Sequence, residues 1–148
     1  MKKTFMLTGL FALMGLVIFA AACGSSGSSG GSTPDVGKTI RSAPAGNGLT
    51  ATLSSADGTL KKGKQDFTLA FTDASGKHVD VGSVALNYQM AAMGSMGEMN
   101  NGATFRTTGT PGIYKGNVDI EMAGEWQAQV TYEGPAGKGS FSFPVNAK

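Results

Sequence analysis

Residues 67–90 read FTLAFTDASGKHVDVGSVALNYQM, and their periodicity decides the fold. Phe67, Leu69 and Phe71 alternate with Thr68, Ala70 and Thr72, and Val84, Leu86, Tyr88 and Met90 alternate with Ala85, Asn87 and Gln89. A period of two puts one face of each segment in a core and the other in water, so both read as strands. Asp73-Ala-Ser-Gly76 between them is turn chemistry. The same alternation recurs on either side. Leu49, Ala51 and Leu53 precede the stretch. Ala103, Phe105 and Thr107 follow it, then Tyr114, Val118 and Ile120 with a bend at Gly116, then Trp126, Ala128, Val130 and Tyr132, and last Phe141, Phe143 and Val145. Turn signals at Gly109-Thr-Pro-Gly112, Ala123-Gly124 and Gly134-Pro-Ala-Gly137 separate them. No segment of this region carries a helical period. The expectation is an all-β, immunoglobulin-like antiparallel β-sandwich of about seven strands, with Trp126 in its centre.

The N-terminus has a different character. Lys2 and Lys3 precede an apolar run from Phe5 to Ala22, and Ala20-Ala21-Ala22-Cys23 closes it. A basic start, an apolar run and small residues before a cut form an export signal, and a cysteine directly after them resembles a lipobox. Residues 1–22 are therefore expected to be a lipoprotein signal peptide. Cys23 is the single cysteine of the chain, and it is the expected lipidation site, which leaves the mature domain without an internal disulfide. Gly24–Pro34, GSSGSSGGSTP, cannot bury a core, so residues 23–45 are read as a lipidated, flexible tether and 46–148 as the folded domain. This predicts an extracytoplasmic, membrane-anchored protein, facing a periplasm or the cell surface.

Charge narrows the function classes. The formal charge is +2, but Lys2 and Lys3 belong to the signal, and the remainder is balanced. There is no basic stripe for nucleic acid. No cysteine is free for catalysis, the serines crowd into the tether, and His78 is the sole histidine. A triad has no materials here, so no enzyme is expected. One histidine cannot make a zinc site alone, and His78 reads as a solvated turn residue.

One stretch escapes these readings. Residues 90–99, MAAMGSMGEM, place Met90, Met93, Met96 and Met99 three apart, with Gly94 and Gly97 between. On a strand, positions three apart face opposite sides. On a helix, steps of three turn by about −60° and spread the side chains over half the surface. Neither gathers four sulfurs, whereas a flexible loop does. Thioethers are neutral, soft and never protonated, which suits Cu(I) or Ag(I). Simple antiparallel order puts this loop at the same end of the sandwich as Met122 and the lysines at 61, 62 and 64, with His78 at the far end. Met90 also ends a strand, so Met93, Met96 and Met99 weigh more than it does, and Met122 is a further candidate.

Gly112–Trp126, GIYKGNVDIEMAGEW, together with the strand–turn–strand–methionine-loop order upstream, resembles the YtkA-like domain family over about Leu49 to Val145. The resemblance rests on the Gly-x-Tyr-x-Gly and Met-x-Gly-x-Trp elements. It implies a small exported sandwich, often a lipoprotein or part of a metal-efflux adaptor, whose loop binds copper or a related soft metal. This loop has no histidine, a departure from a mixed histidine–methionine site. The expected function is Cu(I)/Ag(I) binding in copper handling or tolerance, with Met90, Met93, Met96, Met99 and Met122 as candidate ligands. Copper is then the only cofactor, and a metal-efflux or copper-delivery protein is the expected partner besides the membrane. The other reading is a surface β-sandwich that contacts another protein through an adaptable methionine loop.

Overall fold

The computed structural model describes residues 34–148. The expected signal segment, Cys23 and the Gly/Ser run up to Thr33 lie outside them. Nine strands follow in order: β1 (Lys38–Gly46), β2 (Leu49–Ser55), β3 (Gly63–Thr72), β4 (Ser83–Met90), β5 (Met99–Gly102), β6 (Thr104–Thr107), β7 (Ile113–Ile120), β8 (Gly124–Gly134) and β9 (Gly137–Ala147). They form a five-stranded sheet, β1-β2-β3-β7-β6, and a four-stranded sheet, β5-β4-β8-β9. All the strand pairs are antiparallel. This is the expected β-sandwich.

The alternating residues do what their period requires. Leu53, Leu69, Phe71, Tyr88, Ile120, Trp126 and Val130 are fully buried between the sheets. Trp126 donates its indole N–H to the carbonyl oxygen of Met122 at 3.0 Å, which satisfies its one polar atom inside the core. Tyr132 donates its hydroxyl to the Ala45 carbonyl at 3.0 Å and accepts from the Asn47 amide at 3.1 Å. That pair of bonds ties β8 to the β1–β2 hairpin across the sandwich.

Three local expectations are corrected. Lys38–Ala45 is not tether. It forms β1 and pairs with β2 through a tight turn in which Asn47 and Gly48 both have positive φ, 52° and 72°. The strand expected over Ala103–Thr107 is present as β6, but a further strand, β5, precedes it over Met99–Gly102, where a loop was expected. β5 belongs to the four-stranded sheet and β6 to the five-stranded one, with Ala103 as the crossing residue. There is no bend at Gly116, because β7 runs unbroken through it. Gly116 instead makes room: it pairs with Phe67 on one side and Phe105 on the other, and those two rings meet over it, edge to face, with centroids 5.5 Å apart.

Candidate functional site

The methionine stretch forms a hairpin. Met90 pairs with Met99 at the end of the β4–β5 ladder, and Met93 pairs with Met96 in the same register further out. The amide of Met93 donates to the Met96 carbonyl at 3.1 Å, and the amide of Met96 donates back to Met93 at 2.9 Å. Gly94, at φ 59°, takes the first central position of the two-residue turn. Positive φ there followed by an ordinary residue is the geometry of a type II′ hairpin turn, which glycine reaches without strain.

This register sorts the four sulfurs. Directly opposed residues share a face, and positions three apart along a strand do not. Met90 is in the core at 4% exposure, and Met99 is half-buried against it. Met93 and Met96 are 60% and 41% exposed, the only large hydrophobic side chains in the open among the described residues. The hairpin therefore brings together two pairs rather than one set of four. Met90 contacts the core beside Gly124, where an added Cβ would lie 3.1 Å from its Cε. Met122 follows β7 in the β7–β8 turn next to Gly124 and packs partly buried against the core. The expected placement of Met122 at the end of the sandwich that carries the methionines is thus what the fold provides.

Charge enters the outer face through Glu98, which the sequence reading did not single out. Period two from Met96 leads to Glu98 and then to Asn100, and this spacing was the available signal. The Asn100 amide donates to the Glu98 carboxylate at 2.9 Å. That bond, with a second from Gln89, holds the Glu98 carboxyl below the usual carboxylate range. A carboxylate whose ionised form is favoured thus stands two residues from Met96. Asn100 in turn accepts from Asn87 at 3.1 Å, so the outer face of this edge is a polar ladder beneath an apolar tip.

His78 lies at the opposite end, where it bridges Thr72 after the β3 turn. It is half-buried, and its Nδ1 is enclosed without a hydrogen-bond partner, so it is not the freely solvated residue expected. Among the described residues, no three His, Cys, Asp or Glu side chains gather into a metal-binding group. An open groove of about 580 Å³ lies elsewhere, on the outer face of the five-stranded sheet, bordered by Asp66, Thr68, Arg106 and Lys115. It is remote in the fold from the methionine hairpin, which extends the other sheet. No helix among the described residues is long and apolar enough to cross a membrane.

No curated protein matches the chain. The family model described as YtkA-like matches residues 45–131, more than half of the sequence. That interval runs from the end of β1 into β8 and contains the methionine hairpin, the Gly-x-Tyr-x-Gly element at the start of β7 and the Met-x-Gly-x-Trp element that leads into β8. On this match and this fold, the chain belongs to the YtkA-like family.

Proposed function

We propose that the domain is held outside the cytoplasm by a lipid on Cys23 and binds a soft monovalent cation, Cu(I) or Ag(I), at the tip of the methionine hairpin. The observation that carries this reading is the register of Met93 against Met96. Residues paired in this way have Cα atoms about 5.5 Å apart and point to one side, so two flexible thioethers reach the same ion. Closed-shell Cu(I) and Ag(I) accept few, soft donors, and thioethers meet that preference without losing a proton. Glu98 on the same side supplies one negative charge toward a monovalent ion. Met99 and Met122, half-buried behind the tip, are further donors if the hairpin opens. Met90 is a core residue and is left out of the set. Copper handling or tolerance, with an efflux or delivery protein as partner, is the role that family membership favours for such a site.

A second reading draws on the same exposure. Met93 and Met96 are the large apolar side chains left in the open, and a methionine tip is also an adaptable contact surface for another protein. An anaerobic Cu(I) titration against a chromogenic competitor separates the two. The wild type is expected to compete, and a Met93/Met96/Met99 triple-alanine variant is expected to lose that competition. If neither protein competes, or both compete equally, the hairpin is not a copper site and the contact reading replaces it.

A further inference from the structure

The exposure gradient along one hairpin has a chemical consequence that does not depend on metal. We infer that Met93 and Met96 form a reversible oxidation site, a pair of thioethers that the fold offers to peroxide or hypohalous acid while it shields the rest.

Thioether oxidation needs contact between the sulfur lone pair and the oxidant's terminal oxygen, in a polar transition state that water must solvate. With hydrogen peroxide the sulfur attacks that oxygen and the O–O bond breaks. A new S–O bond forms, and the departing hydroxide takes up the remaining proton. The thioether loses two electrons and becomes the sulfoxide, and the peroxide is reduced to water. Met93, 60% exposed, and Met96, 41% exposed, meet the access requirement, whereas Met90 at 4% does not. Met99 and Met122 are half-buried against the core and fall between.

The product also fits the tip and nowhere deeper. A sulfoxide is polar and carries an acceptor oxygen. At the tip that oxygen faces water, and the turn is held by backbone bonds between Met93 and Met96 that the side chains do not enter. At Met90 it would be buried against apolar neighbours without a donor, which is unfavourable. Oxidation of the outer pair thus changes the hairpin from an apolar, soft surface to a polar, hard one while the sandwich stays folded. A two-residue turn that projects both sulfoxides into solvent leaves them open to thiol-dependent methionine sulfoxide reductases, which supply the two electrons for the return step.

The experiment treats the metal-free protein with increasing hydrogen peroxide and follows each methionine by proteolysis and mass spectrometry. Met93 and Met96 are expected to react on the order of tenfold faster than Met90, as access controls the rate. The urea midpoint after selective oxidation of the pair is expected to match the untreated protein. A mixture of reductases for both sulfoxide epimers is expected to restore the thioethers without unfolding. A Met93→Leu/Met96→Leu variant, which keeps the apolar bulk, is expected to lose the fast phase. Equal rates at Met90 and the tip would overturn the inference. So would a fall in stability that tracks tip oxidation, or sulfoxides that the reductases reduce only in unfolded protein. A failed copper titration leaves all these outcomes unchanged, so the two tests fail independently.

Discussion

Gly116→Ala tests the aromatic packing that joins the two sheets. Gly116 lies in mid-strand with an ordinary negative φ, so alanine meets no backbone penalty there. Space is the obstacle. An added Cβ would sit 2.3 Å from Phe67 Cζ, 2.8 Å from Cε2 and 2.9 Å from Cε1. Carbon atoms pack at about 3.5–4.0 Å, so the ring must retreat by roughly an ångström. It has nowhere free to go. Phe67 is 3% exposed and makes edge-to-face pairs with Phe105 at 5.5 Å and with Tyr88 at 6.3 Å. Each such pair is worth about 0.5–1.5 kcal/mol beyond its buried area, and overpacking a tight core costs about 1–3 kcal/mol. The expected loss is therefore about 1–3 kcal/mol, read as a lower urea midpoint at unchanged slope. The mechanism is isolated by repeating the change in a Phe67→Ala background. Phe67→Ala alone is expected to cost about 3–5 kcal/mol. With the ring gone, Gly116→Ala should then cost less than about 0.5 kcal/mol, the range within which uncoupled changes add. A similar cost in both backgrounds would place the effect in the backbone and refute the argument from the ring.

Met90→Ala and Met96→Ala, two members of one sequence motif, should differ sharply. The first empties a core position and is expected to lose about 2–5 kcal/mol, the second to stay within about 0.5 kcal/mol of wild type, and comparable urea midpoints would contradict the sorting of the hairpin. The buried hydroxyl of Tyr88 has no hydrogen-bond partner, so Tyr88→Phe is expected to leave stability unchanged or raise it by up to about 2 kcal/mol, the cost of an unpaired buried hydroxyl. Burial also pushes the Tyr88 phenol up. The unfolded chain, ionising near pH 10, then loses its proton first, so stability is full below that pH and falls above it. Urea midpoints from pH 8 to pH 11 should show this fall, and Tyr88→Phe should reduce it. Tyr114, which burial also pushes up, accounts for a remainder, and an identical fall in both proteins would rule out Tyr88 as a source.

Strands that bury one face were legible in the sequence. Phe67–Phe71, Val84–Met90 and Trp126–Tyr132 alternate because a core on one side and water on the other demands it, and Trp126 is fully buried as expected. β1 was not legible by the same means. It is an edge strand with register shifts at Thr39/Arg41 and Pro44/Gly46, so most of its residues stay exposed and no alternation survives. Its signal was Asn47-Gly48, the pair that best suits a tight hairpin turn. The change of sheet at Ala103 leaves no mark in hydrophobicity, since β5 and β6 are short and half-exposed on both sides. For the candidate site, the sequence showed the methionine cluster but not its division. The faces follow from the pairing of Met93 with Met96, and spacing alone allows that register among others. Gly94 at the first turn position was the one local clue.

The change of sheet at Ala103 bears on how closely copies of this protein can be crowded. A sandwich has four open margins, and each exposes amides and carbonyls to which a neighbouring chain can add a strand. Here β5 and β6 are four residues each, too short to template much, and they are one continuous chain turning from one margin to the next. β1 is broken by its irregularities and by Pro44, and β9 carries Pro144, which lacks the amide that a docking strand would need. All four margins are thus poor templates for cross-strand aggregation. If the proposed lipid on Cys23 confines the domain to two dimensions, copies meet far more often than in free solution, and this arrangement would let them do so without coalescing.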